Sequence, residues 1–190
     1  MTDLLESKLD YFFSILDANG NSILQPNDFV EVANKLSDKL RYGPSSPIRL
    51  KLQRQASRLF VQILTDMEKE DDQITPEDWF HFFEYFHFER PGYIRSYVTR
   101  IVNYIFLLFD RNFDKYINRE EYSEMFRAYG IDYKYEGSSF DKLDKNKDGF
   151  ISQEELIQGF CDFFFSSDPN APGNWIFGNW KEKPFRERLD

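Results

Sequence analysis

Asp144-Lys145-Asn146-Lys147-Asp148-Gly149-Phe150-Ile151-Ser152-Gln153-Glu154-Glu155 decides how the rest of the chain is read. It satisfies every defined position of the twelve-residue pattern D-x-[DN]-x-[DN]-G-x5-E. Oxygen-bearing side chains fall at positions 1, 3, 5 and 9, and glycine falls at position 6, where such a loop turns sharply. Glutamate closes the loop at position 12, and the carbonyl of Phe150 falls at position 7. A hard dication wants about six to eight oxygens at roughly 2.3–2.6 Å, which this order of residues supplies. A solvated acidic turn is the plain alternative. Ile151 at position 8, between two helical patterns, favours the metal loop.

The spacing recurs, as repeats of a metal-binding unit do. Asp110, Asn112, Asp114, the Tyr116 carbonyl, Asn118 and Glu121 align with the same positions without a gap, but Lys115 stands where glycine is expected. A non-glycine residue in the left-handed region costs about 1–2 kcal/mol. That weakens the site without abolishing it. Another copy starts at Asp17, with Asn19, Asn21, the Ile23 carbonyl and Asp28 as ligands, Ser22 at position 6 and Gln25 at position 9. It holds two carboxylates where each later loop holds three, and Asp28 is one methylene shorter than glutamate. Bidentate closure is harder there, which suits a six-oxygen site where Mg²⁺ competes with Ca²⁺.

The remaining copy is degenerate. With Ile74 at position 8, Met67, Lys69, Asp71 and Asp72 take positions 1, 3, 5 and 6, and Asp78 takes position 12. Thioether sulfur and an ammonium are wrong for a hard cation. This loop is expected to hold no ion and to persist as the partner of its neighbour. Asp66 would serve as first ligand only if the loop had an extra residue. Three Ca²⁺ sites are therefore expected from the four copies.

Charge and composition narrow the class. Acidic residues outnumber basic ones 33 to 24, for a net charge of −9, and three dications would offset much of that. With 41% hydrophobic and 30% charged residues the chain reads as an ordinary globular protein. No basic patch or aromatic RNA-binding motif stands out, so no nucleic-acid partner is expected. A lone Cys161 forms no internal disulfide and reads as a packed small side chain in a reducing compartment. The start Met1-Thr-Asp-Leu-Leu-Glu-Ser-Lys lacks the pattern of a secretory leader, and Thr2 excludes glycine myristoylation. The apolar run from Ile101 to Phe109 is broken by Asn103 and is too short to span a membrane. A cytoplasmic monomer is expected.

Helical periodicity flanks every loop. Leu5, Leu9, Phe12, Phe13 and Leu16 stripe the entering helix of the first copy, and Phe29, Val32, Ala33, Leu36 and Leu40 the exiting one. A long helix runs from about Ile48 to Thr65; Trp79, Phe82, Phe83 and Phe86 stripe the next. Pro91-Gly92 breaks the chain. Ile94 to Phe109 leads into the third loop, and Tyr122, Met125, Phe126 and Tyr129 leave it. Phe140 and Leu143 precede the fourth; Leu156, Phe160, Phe163 and Phe164 follow. Ser152 with Glu155 and Asn118 with Glu121 have capping-box spacing, and Pro26 and Pro76 suit first helical positions. Leu24, Ile74, Ile117 and Ile151, all at position 8, should form short two-stranded ribbons between paired loops. Aromatic residues, 18% of the chain, fall at helical spacing and read as core. His81 and His87 lack zinc spacing.

Four loops starting at 17, 67, 110 and 144, with a silent second copy, an aspartate closing the first and Phe-rich helices, resemble the EF-hand family. Within it the chain is similar to the sarcoplasmic calcium-binding proteins and their relative calexcitin. The tail Ser167-Asp168-Pro169-Asn170-Ala171-Pro172-Gly173-Asn174-Trp175-Ile176-Phe177-Gly178 is similar to that family's closing segment. The resemblance implies an all-α fold of four hands in two pairs, packed as one compact globule with the tail tucked against the helices. The break at Pro91-Gly92 puts the pairs at 1–90 and 91–166, with the tail at 167–190. Lys181 to Asp190, polar and charged, is expected to be mobile.

The function expected is calcium buffering, with Trp175, Ile176 and Phe177 plugging the groove that a sensor would open. The alternative is a calexcitin-like sensor that exposes an apolar face and binds a target protein. Only Met1, Met67 and Met125 occur, so a Met-rich adaptable groove is not indicated. Photoproteins use the same scaffold, but their chromophore pockets draw His, Tyr and Trp from several helices; here both histidines share one. No nucleophile with a base partner, phosphate-binding glycine loop or zinc motif points to an enzyme.

Overall fold

The computed structural model describes residues 2–129 and 131–182. Helices α1 (Asp3–Leu16), α2 (Pro26–Lys39), α3 (Pro47–Asp66), α4 (Pro76–Glu89), α5 (Pro91–Phe109), α6 (Arg119–Tyr129), α7 (Glu136–Leu143) and α8 (Gln153–Phe165) alternate with the four loops. Prolines open α2, α3, α4 and α5, because a missing N–H costs nothing in the first turn. Ser152 caps α8 by accepting from the Glu155 amide while the Glu155 side chain bonds back to the cap, the reciprocal arrangement expected from the spacing.

The chain divides into two compact units: Leu9–Phe82, and the described residues on either side of it. In the first, α1 from Leu9 onward, α2, α3 and the start of α4 surround a core of Phe12, Phe13, Phe29, Phe60, Ile63 and Trp79. Trp79 packs on Phe12 and Phe13, and its indole N–H donates to the Leu9 carbonyl at 3.2 Å. Leu24 and Ile74, both fully buried, exchange paired backbone bonds of 2.9 Å. The ribbon expected here is thus a single bridge.

In the second unit, strands β1 (Tyr116–Asn118) and β2 (Phe150–Ser152) pair antiparallel with Ile117 opposite Ile151. Their buried side chains join Tyr122, Phe126, Phe140, Phe160 and Phe163 in the core. The tail returns through a turn of 3-10 helix, Pro172–Trp175. Ile176 and Phe177 are buried, with Phe177 against Phe160, Phe163 and Tyr129. Trp175, the third proposed plug residue, stays half-buried and takes the Lys142 ammonium over its ring at 3.7 Å. Beyond the tail, Glu182 accepts from Tyr135 at 2.6 Å and from Lys134 at 3.1 Å; residues 183–190 of the segment expected to be mobile lie outside the described residues.

Two contacts in this unit had only faint sequence signals. Lys8 lies on the Leu5–Leu9–Phe12 face and is fully buried. Its ammonium donates to the carbonyls of Asp162 and Ser166 at 3.0 and 2.8 Å and to the Asn174 side chain at 2.7 Å. Burial lowers its pKa to about 8. Gly159 and Gly173 let the tail backbone press on α8: a Cβ on Gly173 would lie 2.0 Å from the Gly159 carbonyl oxygen.

Candidate metal sites

Three of the four loops share one backbone. Positions 4 and 6 lie in the left-handed region in each: Gly20 and Ser22, Phe113 and Lys115, Lys147 and Gly149. Ser22 and Lys115, with φ of 63° and 68°, adopt the glycine conformation despite the steric cost. The position 4 requirement is not visible in the sequence pattern, because Gly, Phe and Lys share no chemistry.

The side chains at position 1 hold that backbone. Asp110 accepts the amides of Asp114 and Lys115 at 3.1 and 3.0 Å, one on each oxygen. Asp144 does the same with Asp148 and Gly149 at 3.2 and 2.9 Å. Asp17 accepts Gly20, Asn21 and Ser22 at 2.8, 3.2 and 3.0 Å. At position 3, Asn19, Asn112 and Asn146 each accept the amide two residues on. At position 5, Asn21, Asp114 and Asp148 do likewise. These local bonds explain why Asp and Asn fill the positions: both readily hydrogen-bond to their own chain two residues on.

The closing residue ties the loop to its exit helix. Glu121 accepts Arg111 N at 2.9 Å and Asn118 N at 3.0 Å; Glu155 accepts Lys145 N at 3.1 Å and Ser152 N at 2.9 Å. Asp28 takes Gln25 N at 2.9 Å and, lacking the extra methylene, takes the Asn19 side-chain amide at 3.0 Å on its other oxygen.

These donor sets fit a hard cation. Asp17, Asp28, Asp110, Glu121 and Asp144 are all buried. No Lys or Arg forms an ion pair with Asp110, Glu121 or Asp144 among the described residues. A carboxylate oxygen has two lone pairs, and the bonds to Asp110 and Asp144 use one on each oxygen. Among the described residues no three His, Cys, Asp or Glu side chains converge as a ready cage. A cation shell here would draw on the Asn amides and on the carbonyls of Ile23, Tyr116 and Phe150 as well.

The loop at 67–78 departs from this pattern. Positive φ falls at Glu68 and at neither position 4 nor position 6. Asp66 turns back to Gln62 at 3.2 Å. Lys69 donates to Asp78 at 2.8 Å and lies 3.5 Å from Asp71. Cys161 is free, and burial pushes its thiol up, away from thiolate chemistry.

Paired helix-loop-helix units joined by a short bridge or ribbon between loops define the EF-hand fold of calcium-binding proteins. The EF-hand family model matches residues 138–160, which take in most of α7, the fourth loop and α8 as far as Phe160. A comparison with curated protein sequences finds no match. Among solved structures the chain is similar to a sarcoplasmic calcium-binding protein from amphioxus, with TM-score 0.72 and 13% identity over 94% of this chain and 98% of that one. It is also similar to the coelenterazine-binding protein of Renilla muelleri in its calcium-loaded apo form, with TM-score 0.71 and 17% identity over 94% and 99%. The calcium-regulated photoprotein mitrocomin of the jellyfish Mitrocoma cellularia gives TM-score 0.71 and 16% identity over 93% and 91%. At these identities the likeness is one of fold.

Proposed function

We propose that this chain is a cytoplasmic calcium buffer that binds three ions, at loops 17–28, 110–121 and 144–155. The observation that carries this is the backbone shared by those three loops and absent from the loop at 67–78. The ligands are Asp17, Asn19, Asn21, the Ile23 carbonyl and Asp28; Asp110, Asn112, Asp114, the Tyr116 carbonyl and Glu121; Asp144, Asn146, Asp148, the Phe150 carbonyl and Glu155. The ion supplies positive charge to the buried Asp110, Glu121 and Asp144, which form no ion pair with Lys or Arg among the described residues. The loop residues hold the oxygens in place, and no chemical step follows. Mg²⁺ competes at the first loop, where Asp28 is short and two of the ligands are amides.

Buffering rather than sensing is supported by the tail. Ile176 and Phe177 fill the space between α6 and α8 that a sensor would open for its target, and the Tyr122 hydroxyl donates to the Ile176 carbonyl at 3.1 Å. A buffer hand barely opens on binding calcium. A chromophore-storing role gains no support from the histidines: His81 is exposed, and His87 is half-buried against Phe165.

Titration calorimetry at physiological Mg²⁺, paired with a dye that reports exposed apolar surface, tests both parts. Three calcium equivalents with a flat dye signal are expected. Fewer equivalents would remove a loop from the assignment. A large rise in dye signal would replace the buffer reading with that of a sensor.

A further inference from the structure

The second loop carries a positive charge of its own, Lys69, at the position where the other three loops carry Asn19, Asn112 and Asn146. Lys69 stands at position 3, and its ammonium donates to Asp78 at position 12 at 2.8 Å and lies 3.5 Å from Asp71 at position 5. The same Asp78 oxygen accepts the Thr75 amide at 2.9 Å and the Thr75 hydroxyl at 2.8 Å. Thr75 directly follows Ile74 of the Leu24 bridge, and Asp78 lies in the first turn of α4. The bond to Asp78 raises the Lys69 pKa. Burial favours the neutral form of Asp78, but the bonds from Lys69 and Thr75 outweigh it and hold the carboxyl below its usual range.

We propose that the Lys69 ammonium acts as a tethered cation for the second hand, keeping the 67–78 loop closed and the Leu24–Ile74 bridge formed when no metal is bound. A metal-loaded partner normally shapes its neighbour through such a bridge. Here the partner is permanently charged, so the first loop meets calcium already braced and binds it as an independent site. Loops 110–121 and 144–155 have no such lysine: Asn112 and Asn146 take its place. Those two loops must organise one another and bind cooperatively. Lys69 is thus a positioning residue for loop 17–28, and this role rests on reading that loop as a calcium site.

The test compares Lys69→Met, which keeps length and removes charge, with Lys69→Arg, which keeps charge. Amide hydrogen exchange of Leu24 and Ile74 is followed in the metal-free protein, with Ile117 and Ile151 as internal references. In Lys69→Met, protection at Leu24 and Ile74 should fall about threefold to tenfold, the range for a half-exposed charged hydrogen bond. It should be retained in Lys69→Arg and unchanged at the references. Wild-type protection in Lys69→Met would overturn the proposal, as would equal loss in both variants. Calcium titration of loop 17–28 then separates the two claims. A weaker first site in Lys69→Met alone supports both, and an unchanged first site despite lost protection overturns the bracing role. Absence of wild-type binding at that loop refutes the site and leaves the exchange result to judge the bridge.

Discussion

Gly173→Ala puts the closed tail to the test. A Cβ at this position would sit 2.0 Å from the Gly159 carbonyl oxygen and 2.6 Å from Asp162 Cβ, both on α8. Helical backbone does not yield as a side-chain end would, so the tail itself must respond. Full release would expose Ile176 and Phe177, at about 1.5–3 kcal/mol each. It would also break the Tyr122–Ile176 bond, for about 1–3 kcal/mol more. Backing off while keeping both side chains buried resembles overpacking, at about 1–3 kcal/mol. The cheaper response wins, so the substitution should cost about 1–3 kcal/mol with the tail displaced but still docked. Gly159→Ala is the matched control: its Cβ meets Leu143 Cδ2 at 2.6 Å, a side-chain end that can rotate, so it should cost less. Urea denaturation at saturating calcium, followed by circular dichroism and tryptophan fluorescence, ranks the two. A wild-type midpoint for Gly173→Ala, or a larger loss for Gly159→Ala, would refute the packing argument.

Glu155→Gln removes the closing charge from the fourth loop and should weaken one calcium site by roughly tenfold or more; an unchanged calorimetric isotherm would contradict the assignment. Lys115→Gly relieves a side chain held at φ 68°. Relief of about 1–2 kcal/mol, set against about 0.5–1 kcal/mol of added chain entropy, predicts a net gain of up to about 1.5 kcal/mol in unfolding free energy, read as a higher urea midpoint. Tyr122, buried and facing the negative charge of Glu136, has its pKa pushed well above 10. The folded chain keeps that proton where the unfolded chain releases it, so stability is intact below pH 10 and falls as pH rises beyond it. Tyr122→Phe should flatten that alkaline limb, and a limb of unchanged slope would show that another group drives it.

The candidate metal loops were legible because their hydrogen bonding is local. Asp110, Asp114, Asp144 and Asp148 each bond amides within five residues, so spacing along the chain is spacing in space. The same holds for the Ser152–Glu155 cap and for the prolines opening α2 and α4. What escaped the pattern was conformational: nothing in Gly20, Phe113 and Lys147 announces a shared left-handed position 4. The ribbon expected between the first two loops contracted to one bridge at Leu24 and Ile74, alongside the different turn at Glu68.

Sequence alone therefore determined the four loops, their flanking helices and which loop carries Met67 and Lys69 where the others carry Asp and Asn, since all three are set by residues a few positions apart. The tertiary structure decided what joins distant segments. It seated Lys8 against the Asp162 and Ser166 carbonyls and Asn174, pressed Gly173 onto Gly159, and left Trp175 half-buried while Ile176 and Phe177 went inside. Those outcomes depend on which surfaces meet after the helices pack, and a helical stripe specifies that a face is buried without specifying what covers it.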